Sequence, residues 1–181
     1  MPVFIKIMFM MIVAQPLLFA GEWKWRAREH FETHTIKKDS LEVNYKGLSN
    51  TINYWYEDSL NQAYGLAFGP VIGNADKQGD ELISQLGDEV KLVSIGFEYK
   101  KWFSKDYPLF TRLGAFYQKL LSDGSVGKPN GTGTYFGLGY EYIYKDVGIA
   151  IEFAVRQSNL TEGVQVKSFT PSIGFHLYPF F

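Results

Sequence analysis

Apolar and polar residues alternate along most of this chain, and the end of it shows the pattern best. Over 168–181, Phe169, Pro171, Ile173, Phe175, Leu177, Pro179 and Phe181 share one parity. Ser168, Thr170, Ser172, Gly174, His176, Tyr178 and Phe180 share the other. Side chains of a strand point to opposite faces with period two, so this segment predicts a strand with one apolar face and one mostly small or polar face. The same alternation predicts seven more strands, at about 23–37, 42–57, 63–72, 90–103, 108–119, 134–144 and 147–157. In the seventh, Val147, Ile149, Ile151, Phe153 and Val155 oppose Gly148, Ala150, Glu152, Ala154 and Arg156.

The connections sort into two kinds. Asp58 to Gln62, Ser104 to Tyr107 and Lys145-Asp146 are short and polar; 73–89, 120–133 and 158–163 are longer and rich in Gly, Asp, Asn and Ser. Short turns at one end and long loops at the other, between alternating segments of about ten residues, are the pattern of a membrane-spanning barrel. The predicted fold is therefore all-β, an eight-stranded antiparallel up-and-down transmembrane β-barrel. Lipid offers no partner to backbone N–H and C=O groups, so such a sheet must close. A soluble β-sandwich or lipocalin-like barrel would turn the apolar faces inward. Its solvent face would be denser in Lys and Glu than the Gly, Ala, Ser and Thr found here.

The first twenty residues follow another rule. Lys6 is their only charge, Ile7 to Val13 is apolar, Pro16 breaks the run and Ala20 follows Leu18-Phe19. This reads as a secretory signal over 1–20 cleaved after Ala20, leaving the barrel as 21–181. The apolar run is short for a membrane-anchoring helix, which needs about 20 residues. Nothing after it is long and apolar enough for a helical span.

Composition adds exclusions. There is no Cys, hence no disulfide, thiolate metal site or cysteine nucleophile, and a net charge of −1 gives no footprint for nucleic acid. Aromatics reach 17%, and several (Tyr54, Tyr56, Tyr99, Trp102, Tyr142, Tyr144, Tyr178) fall near the short turns, where rings prefer a membrane interface.

The inward parity collects Arg26, Arg28, His30, Glu32, Glu98, Lys100, Arg112, Glu141, Glu152, Arg156 and His176. In a narrow barrel, side chains of mixed sign fill the interior and pair. They predict a plugged polar lumen; a narrow ion path is the alternative. His30, Glu32 and His34 share one strand face, and two His with a carboxylate can bind zinc or move protons. Same-face neighbours stand about 7 Å apart, too far for easy shared ligation, so no metal and no cofactor is expected. The loop 73–89 carries Asp76, Asp80, Glu81, Asp88 and Glu89 against Lys77, a surface for a partner or for divalent cations. Gly131-Thr132-Gly133 lacks the Lys-Ser/Thr of a phosphate loop.

These features together resemble the small eight-stranded outer-membrane barrels, the family of the OmpA transmembrane domain, OmpX and Ail. The resemblance covers about 22–181 and rests on the signal segment, the strand count, the loop alternation and the terminal aromatic strand. It implies an integral protein of the bacterial outer membrane, monomeric, in contact with outer-membrane lipid and lipopolysaccharide. It also implies that Phe181 is read by the barrel-assembly machinery, although Pro179 is unusual in such a strand. The implied role is structural or in surface interaction, such as membrane integrity or adhesion. Some barrels of this size modify lipid A. The deacylase type uses a His-x-Ser pair, and His30, His34 and His176 are followed two residues on by Glu32, Ile36 and Tyr178. The acyltransferase type has an N-terminal amphipathic helix with Ser, His and Asp near the outer rim. Residues 22–34 could form such a helix, and His30 or His34 with Asp39 and Ser40 are the weak candidates for that chemistry.

Overall fold

A computed structural model describes residues 21–58, 61–76, 86–104, 108–122, 127–144 and 147–177. Side chains of 170–177 are not among those described, and both the predicted signal segment and Phe181 lie outside the described residues. Eight strands follow in order: β1 (Gly21–Lys38), β2 (Leu41–Asp58), β3 (Gln62–Ala75), β4 (Glu89–Trp102), β5 (Leu109–Ser122), β6 (Asn130–Tyr144), β7 (Val147–Leu160) and β8 (Val164–Leu177). Each pairs antiparallel with the next, and β8 returns to β1, so the barrel is closed and up-and-down. Residues 22–34 lie in β1; no helix forms there.

Three predicted connections shrink, 73–89 among them, since β3 runs to Ala75. The strands β5, β6 and β7 extend into the segments read as loops, leaving 123–129 and 161–163 as connections. Gly131-Thr132-Gly133 is strand, paired with β7. Gly, Asn and Ser imitate loop composition here, but ladder pairing overrides it. The β1–β2 turn is Asp39-Ser40, with Asp39 at φ 54°, and Glu162 and Gly163 make the β7–β8 turn at φ 61° and 71°.

The side-chain faces explain why the strands run beyond the predicted limits. Through most of each strand the outward positions are apolar, among them Ile52, Leu66, Phe68, Ile95, Leu113, Phe136, Leu138, Ile151 and Phe153, all largely exposed. Nearer the 39–40, 76–88, 123–129 and 161–163 turns, the phase inverts. Lys37, Glu42, Asn44, Lys91, Lys119, Gln165 and Lys167 point out, while Ile36, Val43, Tyr45, Leu92, Leu120, Val164 and Val166 are buried inside. With Val71, Leu86, Val90 and Leu160 these form one apolar core across the barrel mouth. Leu86 enters it from the β3–β4 connection, which is tied down where the Tyr45 hydroxyl donates to the Gly87 carbonyl at 3.0 Å and the Ala75 N–H donates to the Asp88 carbonyl at 2.8 Å. We call this end the head.

At the opposite end an aromatic belt faces out. Trp23 stacks on Tyr54 at 4.8 Å between centroids, Trp25 lies 4.6 Å from Tyr54, and Tyr56, buried among its neighbours, lies 5.5 Å from Tyr64. Such pairs add about 0.5–1.5 kcal/mol each beyond their buried area.

Truncating a core residue of the head leaves a cavity. Leu120→Ala is expected to lower unfolding free energy by about 2–5 kcal/mol, whereas Leu121→Ala, on the outward parity, is expected to stay within about 0.5 kcal/mol. Urea unfolding of the refolded barrel measures both.

Candidate functional site

Below the apolar core, the interior is a column of paired charges. Nearest the aromatic belt, Arg26 donates from Nε and Nη2 to Glu57 Oε1 at 3.0 and 2.7 Å. Next, Lys100 Nζ meets Glu141 Oε2 at 2.5 Å, and Trp102 Nε1 donates to the same oxygen at 2.9 Å. Lys100 also lies 4.1 Å from the Phe110 ring centroid. Higher, Arg28 reaches both oxygens of Glu98 at 3.3 and 3.4 Å, and Asn53 Nδ2 donates to Glu98 at 3.2 Å. Beside them Arg112 Nη1 lies 3.4 Å from Glu152, which also accepts a short hydrogen bond from the Tyr135 hydroxyl.

Neighbouring glycines and rings make this packing possible. A Cβ added at Gly137 would lie 2.1 Å from Glu152 Oε1, so a bare backbone there leaves the carboxylate its place. Arg112 Nε and Nη2 make no hydrogen bond with a described residue, and the guanidinium carbon lies 5.4–5.8 Å from the ring centroids of Trp55, Phe110 and Tyr135. Arg156 lies 5.0 Å from Phe116 and attracts Glu32 electrostatically. Cation–π contacts of this kind are stronger away from water. Burying a charge without a partner costs several kcal/mol, which accounts for the matching of each cation in this column with a carboxylate.

The His30, Glu32 and His34 row lies above the charge pairs and under the apolar core. His34 Nε2 is 3.2 Å from Glu32 Oε2, and both histidines are buried. Among the described residues no group of three or more His, Cys, Asp or Glu is placed to hold a metal. Further up, the Ser158 hydroxyl donates to Gln118 Oε1 at 2.7 Å. An interior cavity lined by Thr51, Ser94, Glu98, Tyr135 and Arg156 has about 10 Å³ for a water-sized sphere, the room of a single water.

Of the residues singled out from sequence, Arg26, Arg28, His30, His34, Glu98, Lys100, Arg112, Glu141, Glu152 and Arg156 are buried in the interior. His176 pairs in register with Arg28 and Gly148. Ser40 is exposed in the turn beyond β1. Six residues separate it from His34, about 20 Å along a strand, and His34 points inward. The structure does not bring Ser40 to either histidine. Sequence reasoning missed Glu57, Asn53, Trp102, Tyr135, Gln118 and Ser158. Parity placed Glu57, Asn53, Trp102, Tyr135 and Gln118 inward and Ser158 fell in a segment read as loop, but only register shows which partner each one meets.

No protein-family model matches this sequence, and no curated protein is detectably similar to it. Among solved structures the chain is similar to Neisserial surface protein A, at 16% identity over 86% of this chain and 97% of that one, with a TM-score of 0.56. It is also similar to Ail, the attachment invasion locus protein of Yersinia pestis, at 16% identity over 86% and 99%, with a TM-score of 0.50. The chain has their fold. At this identity the likeness extends to architecture and stops there.

Lys100 and Glu141 offer a direct test of the column. Lys100→Met alone strands a buried carboxylate and is expected to cost about 3–5 kcal/mol; adding Glu141→Leu is expected to recover most of it. A double-mutant cycle by urea unfolding measures the difference.

Proposed function

We propose that this chain is an exported, integral protein of a Gram-negative outer membrane, whose lumen is plugged and whose head serves membrane integrity or surface interaction. The carrying observation is the position of the phase inversion. Apolar side chains cover the outside of a closed barrel over a band, then pass to the inside where Lys, Glu, Asn and Gln take over the surface. A lipid layer around the band and water around the head account for both halves. The fold shared with a surface protein and an attachment protein is consistent with this role. Residues 1–20 would direct export, Phe181 would be read by the barrel-assembly machinery, and the lysines just above the band would meet the polar groups of outer-membrane lipid and lipopolysaccharide.

Paired charges, a one-water cavity and an apolar core in series argue against an ion path. The inward burial of His30 and His34, away from Ser40, argues against a lipid A-modifying centre built on them.

Membrane fractionation with a heat-modifiability gel tests the central reading. The chain is expected in the outer-membrane fraction, with different mobility before and after boiling; recovery from the soluble periplasm would overturn it. Purified protein in planar bilayers is expected to give no conductance steps. The boundary of the band has its own test. Ile151→Arg is expected to cost about 2–4 kcal/mol in lipid vesicles, while Gln165→Arg, out in the head, costs under about 1 kcal/mol.

A further inference from the structure

One carboxylate sits on the wrong side of the barrel. Glu29 is exposed on the outward parity of β1, between Ala27 and Phe31. It lies within the apolar band: Trp25, Ala27 and Phe31 share its face on β1, and its ladder partners are Asn50 on β2 and Phe175 on β8. Asn50 also takes the outward parity, flanked by Leu48 and Ile52. Neither the Glu29 nor the Asn50 side chain makes a hydrogen bond or ion pair with a described residue. A polar group facing hydrocarbon at this depth is costly and is a functional feature by default.

Two more observations fall on the same face. The β1–β8 ladder is interrupted between His30 and His34, where β8 spends two more residues than β1. Phe31 and Phe169 lie within that interruption and are 68% and 67% exposed, the highest among the large apolar residues described. Exposed aromatic anchors around a small polar centre are the makings of a protein interface.

We propose that the β8–β1–β2 face is the interface between two copies of this chain, related by a two-fold axis through the Glu29–Asn50 pair. Acyl chains supply no hydrogen-bond donor, so the donor within reach of Glu29 is an amide such as that of its cross-strand neighbour Asn50, and a second copy offers the same amide again. A two-fold interface brings residue i to residue j and j to i. Asn50 of one copy then donates its amide to Glu29 of the other, twice over, with Phe31 and Phe169 packing around the axis. The pair is thus its own complement, and the sequence expectation of a monomer gives way to a dimer within the membrane. The inference rests on the membrane reading above, and fractionation separates the two: a chain absent from the outer membrane refutes both, and a monomer within it refutes this one alone.

The chain has no cysteine, so single-cysteine variants report contacts cleanly. In native outer membranes, Ala27→Cys or Thr33→Cys, both outward on β1, is expected to give an oxidised homodimer. Ala115→Cys, outward on β5 across the barrel, is expected to give none. Adding Asn50→Leu, which removes both symmetry-related hydrogen bonds, is expected to lower the yield by at least about tenfold; where that variant lacks the heat-modifiable band, Glu29→Leu carries the same expectation. Absence of product at both β1 positions, equal product at Ala115→Cys, an unchanged yield after Asn50→Leu, or a product with the mass of another protein each overturns the proposal.

Discussion

Closure of the sheet between β1 and β8 is the contact on which the rest of the structure depends. An open edge would leave a row of N–H and C=O groups without strand partners. Once the ring is shut, every inward side chain is committed to a narrow interior, and the chemistry of that interior is no longer free. Arg28 must meet Glu98, Lys100 must meet Glu141, and Arg112 must meet Glu152. The charge column is a consequence of closure before it is anything else.

The same geometry gives the two ends different characters. Where the outside is apolar the inside is polar, and where the outside becomes polar the inside becomes a hydrophobic core. One continuous strand therefore solves two burial problems in series, changing only which parity carries the apolar residues. The β3–β4 connection is drawn into the second solution, because Leu86 has an apolar core to enter and Tyr45 a carbonyl to reach.

The barrel was legible in the sequence because period-two alternation survives any register. The first strand, with Lys24, Arg26 and Arg28 amid Trp23, Trp25 and Ala27, was legible only through the parity of the others. The head was not read, because Ile36, Val43 and Val166 look like more of the outward apolar face until the polar neighbours Lys37, Glu42 and Gln165 are seen to have changed sides. A change of phase is a signal in the sequence, but it needs a fixed point along each strand to be recognised. The partners in the column were beyond reach for a different reason. Asn53 reaches Glu98 across 45 positions, and nothing local in a strand records its neighbour's register.

The core in the head makes the barrel two separable objects sharing eight staves. What holds the upper one together lies beneath its surface, in Val90, Leu92, Leu120 and Val164, rather than in the connections that decorate it. Outward positions of the head such as Lys119, Gln165 and Lys167 can then change without asking anything of the charges below. The outline of the head can be rewritten residue by residue while the part that must close stays as it was.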